Sequence, residues 1–394
     1  MNLNFNIMKV FFDGLHNKKF RSPFINIMKR TIVALLLTIT LSAMGQSTYE
    51  KGLNALQKGL LDLAEKYFIQ SIEEEDNKAA HLQLGLILEK KEHFADAVTH
   101  FTIADTSAQT MAHLAECLAE CNEWERAKQA AEKAIEIGNS PADEASAMAS
   151  LALYYCHTKN LKNAGHWSSE ASKLAPDSPR AWNVAGIVSY NLGNDNEAIS
   201  RFRHALQVDP DNRDAYFNLG TMYCIRNNHE SAISTLRKGL QRHRESVKLY
   251  HCLGWAYTLR GDKTKALQCY QTVLEIDSMY IDAYNRMGDI YFSQGDYERA
   301  IAMHRQATRK APTQTEGYKL MGRAYAERGD YPAAIRNYQR AAELDNSDSQ
   351  TYILIAQLYA KQNNPKREQA NYKRAAKLGN AEAQTWCLKR GVKW

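Results

Sequence analysis

Cysteine, proline and catalytic motifs are all sparse in this chain of 394 residues. Seven scattered cysteines, an odd number, do not form the dense framework by which disulfides hold small secreted folds together. There are only 8 prolines but 21 tyrosines, and the composition carries no signature of disorder. These observations exclude a disulfide scaffold and an extended disordered chain.

The motifs of the common catalytic sites are also missing. The sequence contains no H-E-x-x-H, G-x-S-x-G, G-x-G-x-x-G or paired C-x-x-C, and its 12 histidines are scattered. The segment from Gly261 to Thr264 (GDKT) lacks the spacing of a phosphate-binding loop. We therefore predict no catalytic residues, no metal and no cofactor, and a protein that is not an enzyme.

The net positive charge nearly disappears once the leading segment is set aside. Residues 1–45 account for +5 of the net charge of +6, so the basic balance is not evidence for nucleic acid. From Met28 a basic start, the short apolar run Thr31–Leu41 and small residues up to Gly45 follow the order of a signal peptide. We expect cleavage after about Gly45, export to the periplasm or medium, and no stable membrane span in the mature chain; translation starts at Met1 or Met28. The alternative is an uncleaved anchor or a buried helix.

A repeated motif fills the remaining sequence. With Ile281 as position 1 of one unit, position 8 is Gly288 and position 20 is Ala300. Small residues recur at position 8 in ten units, with spacings of 33, 30 and 37 followed by 34 six times. They are Gly52, Gly85, Ala115, Ala152, Gly186, Gly220, Gly254, Gly288, Gly322 and Ala356. Position 20 is alanine in the first nine units and Glu368 in the tenth, so the register is an independent, repeated signal.

This pattern resembles the tetratricopeptide repeat family over about residues 47–379. The resemblance implies an all-α, right-handed superhelical solenoid of about ten antiparallel helix pairs with a C-terminal capping helix. We expect a leader (1–45), divergent repeats 1–3 (46–144), regular repeats 4–10 (145–379) and a capping helix with tail (380–394) containing Trp386 and Leu388. The irregular spacings predict altered turns near Thr106 and Pro141, and small residues at positions 8 and 20 predict closely approaching helix backbones.

One cluster invites a metal interpretation. His113, Cys117 and Cys121 lie four residues apart on one helical stripe, and such side chains bind Zn²⁺ elsewhere. Three ligands spread over two helical turns do not reach one ion without distortion. We therefore predict buried structural cysteines at these positions.

In the tetratricopeptide family the first helices line a concave groove that holds protein ligands. Carried to repeats 5–9, the resemblance places eleven side chains in a partner-binding groove: Asn183, Tyr190, Phe217, Thr221, His251, Trp255, Asn285, Asp289, Phe292, Lys319 and Arg323. Aromatic rings with interspersed amides suit an extended peptide or an amphipathic helix. The alternative is that tight coiling buries these side chains against each other.

The predicted function is a non-catalytic, exported scaffold or adaptor that binds a protein or peptide partner. Two alternatives stay open, a structural part of a periplasmic or outer-membrane assembly and a binder of glycans or small ligands. Charge is unevenly distributed, with a net −9 over residues 46–178 and +10 over residues 179–394. This polarity predicts either two differently solvated surfaces or steering of an acidic partner and salt-sensitive head-to-tail self-association.

Overall fold

A computed structural model describes residues 47–138 and 140–394 of the chain. The leader (1–45), with Met28 and the expected cleavage point after Gly45, lies outside the described residues. The chain divides into two units, Met1–Ile137 and Gly138–Trp394. Within the described ranges 21 helices are present and no strand, which confirms the all-α fold of repeated helix pairs.

The first unit contains repeats 1–3. Its six helices are α1 (Thr48–Gln57), α2 (Leu61–Glu75), α3 (Lys78–Lys90), α4 (Phe94–Ile103), α5 (Ala108–Glu120) and α6 (Trp124–Ile137).

The second unit contains repeats 4–10 and the last helix. Repeats 4–7 comprise α7 (Pro141–His157), α8 (Leu161–Leu174), α9 (Pro179–Asn191), α10 (Asp195–Val208), α11 (Arg213–Ile225), α12 (His229–Arg242), α13 (Val247–Arg260) and α14 (Lys263–Ile276). Repeats 8–10 and the end comprise α15 (Ile281–Ser293), α16 (Tyr297–Lys310), α17 (Thr315–Glu327), α18 (Tyr331–Leu344), α19 (Ser349–Lys361), α20 (Pro365–Lys377) and α21 (Ala381–Lys389).

The turns inside the regular repeats follow from two residue types. In repeat 7 Gly261 ends α13 with φ +87°, a left-handed conformation that glycine adopts without strain. Asp262 then caps α14 by accepting a hydrogen bond from the backbone N–H of Lys265 at 3.2 Å. Other repeats place non-glycine residues in the same conformation, such as Glu92 (φ +62°) in repeat 2 and Lys159 (φ +61°) in repeat 4. The helical hairpins therefore form in every repeat, but those without glycine at this turn carry local strain.

Position 8 is small because a large side chain from the second helix lies directly on it. A Cβ added to Gly186 would come within 2.5 Å of Cε1 of Phe202, and a Cβ on Gly288 would overlap the ring of His304. The facing residue is at position 24 of the same repeat, and its side chain, not its backbone, makes the contact. A large side chain of the second helix therefore covers the glycine at position 8, while the close approach of backbones at positions 8 and 20 stays a prediction. Where position 8 is alanine in repeats 3 and 4, position 24 is small as well, alanine and serine respectively.

The irregular repeat lengths arise mainly from the lengths of the helices. The second helix of repeat 2, α4, has 10 residues, whereas the second helices of repeats 4–9 have 14. The first helix of repeat 4, α7, has 17 residues instead of 13 in repeats 5 and 6. The turn near Thr106 is altered as predicted, because Ala104, the C-cap of α4, has φ −57° and ψ 179°, whereas the corresponding Asp209 in repeat 5 has φ −131° and ψ 98°. One turn of helix is lost in α4 and one is gained in α7, next to the connections near Thr106 and Pro141.

The last helix, α21, packs on α20 as a cap. The ring of Trp386 stacks on Tyr372 with centroids 4.3 Å apart and an interplanar angle of 15°. Ala383 and Cys387 are fully buried in the same cluster. Leu388, which we expected to take part in the covering, is 69% exposed and points away.

Candidate functional site

The candidate site lies on the first helices of the second unit. The first helices of neighbouring repeats contact each other directly, from α7 to α9, α9 to α11 and α11 to α13, and from α15 to α17. The first helices therefore form a continuous surface of this unit. We call the part that carries the eleven predicted residues, on α9, α11, α13, α15 and α17, the first-helix face.

The four aromatic residues of this face differ in exposure. Tyr190 is 43% exposed. Phe217 and Trp255 are half-buried and pack against the core of repeats 5–8. Phe292 is half-buried against a smaller cluster formed by repeats 8 and 9. Three of these four rings therefore contribute to the packing of the array and are only partly accessible to a partner.

The polar residues of repeats 5–7 bind each other across the repeat boundaries. Asn218 Nδ2 donates a hydrogen bond to Asn183 Oδ1 at 3.0 Å. The hydroxyl of Thr221 lies 3.4 Å from the sulfur of Cys252 in the next repeat. These contacts hold the first helices in register. They also leave fewer polar atoms for a ligand than the sequence pattern implied.

His251 joins repeat 7 to repeat 8 through a carboxylate. Its Nε2 lies 2.6 Å from Asp282 Oδ2, and its ring contacts the rings of Tyr270 and Tyr280 at 5.5 and 5.4 Å between centroids. The hydrogen bond from His251 is the main reason that the pKa of Asp282 is lowered, and Arg286, 3.3 Å away at Nε, lowers it further.

A second charged group joins repeat 8 to repeat 9. Arg323 lies 3.6 Å from Asp289 Oδ1 and places its guanidinium 4.1 Å above the ring centroid of Phe292. Burial raises the pKa of Asp289, and the charge of Arg323 opposes that rise. Asn285 Oδ1 is 3.3 Å from Nδ1 of His304. Asn285, Asp289 and Phe292 therefore all contact other side chains of the protein.

Lys319 forms the last link of the series. Its Nζ lies 3.2 Å from Oδ2 of Asp348, the N-cap residue of α19. The structure thus does not bring the predicted polar residues together in one cluster. Asn183, Thr221, His251 and Lys319 each contact a different residue, and Arg323 contacts Asp289 and Phe292.

Sequence reasoning missed the partner residues Asp282, Arg286 and Asp348. A signal for them was present in the sequence. His251 and Asp282 are 31 residues apart, Lys319 and Asp348 are 29 apart, and Asp289 and Arg323 are 34 apart. Opposite charges about one repeat apart on first helices indicate contacts between adjacent repeats.

A cavity of about 770 Å³ is present elsewhere in the second unit, at the turn between α9 and α10. It is lined by residues 193–197 and Arg226 and is widely open to solvent. Because the aromatic residues do not line it, we do not assign it to the first-helix face. None of the helices in the described part of the chain has the length and apolar character needed to cross a bilayer.

Comparison with known proteins agrees with the repeat pattern. The family model described as TPR repeat matches residues 186–224, 254–291 and 322–363. Two models described as tetratricopeptide repeat match residues 281–313 and 49–112. Together these matches span more than half of the chain. No curated protein matches the sequence.

Several solved structures are similar in fold. A dimer of human IFIT1 with PPP-AAAA is 15% identical, with a TM-score of 0.53 over 83% of this chain and 89% of that chain. The crystal structure of MamA is 25% identical, covers 42% of this chain and 96% of that chain, and has a TM-score of 0.38. PilF of Pseudomonas aeruginosa is 18% identical over 56% of this chain and 100% of that chain, with a TM-score of 0.47. The likeness to IFIT1 shows the fold alone, and the other two support no argument about function.

Proposed function

Because the chain belongs to the tetratricopeptide repeat family, whose members serve as protein-interaction scaffolds, we propose that it binds a segment of a protein partner on the first-helix face. The segment carries apolar side chains and net negative charge. Binding requires no catalysis, so the protein acts as a non-catalytic adaptor.

The observation that carries this proposal is the set of rings along the face. Tyr190 is 43% exposed, and Phe217, Trp255 and Phe292 are half-buried, with their positions fixed by packing against the core. Rings fixed in this way lose little conformational freedom when they bind, which is why aromatic residues dominate binding hot spots. Their spread over repeats 5–8 suits an extended segment or a helix rather than a small molecule.

The negative charge of the partner follows from electrostatic balance. On the first-helix face the cations are paired with carboxylates, as Arg323 is with Asp289 and Lys319 with Asp348. The net charge of +10 over residues 179–394 therefore acts mainly from outside the face. Charge placed this way accelerates association with an acidic partner more than it strengthens the final complex.

The test begins with peptides selected by display on the purified protein. In the selected complex, we expect Trp255→Ala to weaken binding by about 2 kcal/mol, roughly 30-fold, if this ring is a hot spot. Tyr190→Ala, which alters a side chain outside the described cores, should also weaken binding. Trp167→Ala in α8 is the matched control, because it removes a half-buried ring away from the face.

Circular dichroism must show the same helicity for all variants. Unchanged affinity in both face variants would refute the location of the site. Stabilisation by cell-wall glycans in a thermal-shift screen, with no stabilisation by any peptide, would replace the proposal with sugar recognition.

We further propose that the protein is exported, on the support of the basic start, apolar run and small residues between Met28 and Gly45. N-terminal sequencing of the native protein should then give Gln46 as the first residue. A native protein that begins at Met1 or Met28 would contradict export by a cleaved signal.

A further inference from the structure

The boundaries between repeats use a common three-position junction on the first helices. Position 12 of one repeat lies beside positions 6 and 9 of the next. In the second unit, Cys224 at position 12 of repeat 6 and Cys252 at position 6 of repeat 7 are buried in the same core cluster. At the boundary between repeats 8 and 9, Phe292 at position 12 lies under the guanidinium of Arg323 at position 9.

In the first unit, the junction between repeats 2 and 3 holds three side chains of a different kind. Position 12 is Glu89 on α3, and positions 6 and 9 are His113 and Glu116 on α5. Glu89 Oε2 lies 2.8 Å from His113 Nδ1, and one donor atom from each of the three residues lies within 4.8 Å of the others. Among the described residues, this is the group of at least three histidine, cysteine or carboxylate side chains whose donor atoms lie close enough together to hold one metal ion.

The surroundings hold two of these side chains in place. The side chains of Glu89 and His113 are 15% and 30% exposed. The His113 ring stacks on Phe101 with centroids 5.8 Å apart and an interplanar angle of 19°. The thiol of Cys117 donates to Glu89 Oε1 at 3.6 Å, so the carboxylate is oriented by a neighbour on α5. Such outer contacts accompany ligands in metal sites.

We propose that Glu89, His113 and Glu116 bind one divalent first-row transition ion, with Zn²⁺ as the preferred ion. One imidazole and two carboxylates provide a donor set that zinc accepts, with a fourth position open to water. Ligand atoms around tetrahedral Zn²⁺ lie about 3.4 Å apart, given bonds of about 2.0–2.1 Å. The close Glu89–His113 pair therefore has to open by roughly half an ångström, within the reach of side-chain rotation.

This set differs from the stripe of His113, Cys117 and Cys121 seen in the sequence. Cys117 is fully buried and serves as a donor to Glu89, and Cys121 lies at the end of α5. The ligands instead come from two adjacent repeats. The ion would join α3 to α5 at the place where α4 is one helical turn short.

The experiment is zinc titration by calorimetry of untagged protein freed of metal with a chelator. We expect one Zn²⁺ per chain, no heat with Mg²⁺ because magnesium prefers oxygen ligands alone, and a higher Tm in the presence of zinc. Glu116→Gln keeps the size of the side chain and should reduce affinity by at least about 100-fold, since loss of an outer-shell partner alone costs 10–100-fold. His113→Gln should have the same effect.

Two control variants separate the possible outcomes. Glu120→Gln removes a carboxylate on the same helix, and Cys121→Ser removes the distal thiol of the sequence stripe; both should bind zinc as the unmodified protein does. No binding, or binding that survives both Glu116→Gln and His113→Gln, would overturn the site and leave Glu89 and His113 as an ion pair only. Loss of binding with Cys121→Ser alone would assign the ion to the thiols instead.

Discussion

His304 makes repeat 8 sensitive to acid, and this sensitivity is predictable from one contact. The side chain is 1% exposed and covers Gly288, in the place that Phe202 takes over Gly186 in repeat 5. Burial lowers the pKa of His304 to about 4, and the charge of Arg323 contributes to the same direction. We therefore expect His304→Phe to fit the site and to remove a titrating group.

The size of the effect follows from proton linkage. The ordinary pKa of histidine is about 6.5, so the unfolded chain binds the proton before the folded repeat does. The contribution of the neutral ring to the free energy of unfolding is fully present above pH 6.5. It is lost as the pH falls from 6.5 towards 4. Between pH 7.5 and pH 4.5 the loss from His304 alone is about 2–3 kcal/mol.

Hydrogen exchange of α15 and α16, read by mass spectrometry at both pH values, measures the opening free energy of repeat 8. Repeat arrays open locally, so this readout isolates the repeat better than a global melting curve does. The decrease in opening free energy between pH 7.5 and 4.5 should be smaller in His304→Phe by about 2–3 kcal/mol, because the contributions of the other titrating groups cancel in the comparison. An equal decrease in both proteins would refute the assignment of a buried neutral histidine.

Three further predictions test other features. Gly186→Ala should destabilise repeat 5 by about 1–3 kcal/mol because its Cβ meets Phe202, and the double variant with Phe202→Ala should show a non-additive rescue in urea denaturation. Lys159→Gly should raise stability by roughly 0.5–1 kcal/mol, because glycine relieves the left-handed conformation at this turn; unchanged or lower stability would argue against strain there. Sedimentation should detect head-to-tail association at low salt that disappears at high salt, whereas a monomer at all salt concentrations would remove that proposal.

Much of the fold was predictable because its determinants are local. A glycine followed by aspartate, as at Gly261, defines a helix end and the next helix start within two residues. The spacing of small residues at position 8 gave the register of ten repeats. The reason for that spacing was not predictable in the same way, because the large side chain that covers each glycine comes from a second helix 16 residues away. The lengths of the helices could not be read from the sequence either. A shorter helix α4 and a shorter connection between repeats would both give the same spacing between small residues at position 8.

The candidate site was predictable only in location. The resemblance placed the eleven residues on first helices, where the structure has them. Which atoms they bind depends on side chains about one repeat away, as with His251 and Asp282. Asn285 illustrates the difference: its position suggested a ligand contact, but it lies within hydrogen-bonding distance of His304 in its own repeat.

The pairing of position 8 with position 24 also bears on how such an array changes length. Both members belong to the same repeat, so a duplicated or deleted copy carries its own steric complement with it. The contacts between repeats, by contrast, are made by side chains that differ from one boundary to the next. Insertion of a whole copy therefore preserves the packing inside each hairpin and creates one new boundary, whose matching polar and aromatic side chains decide whether the longer protein holds together.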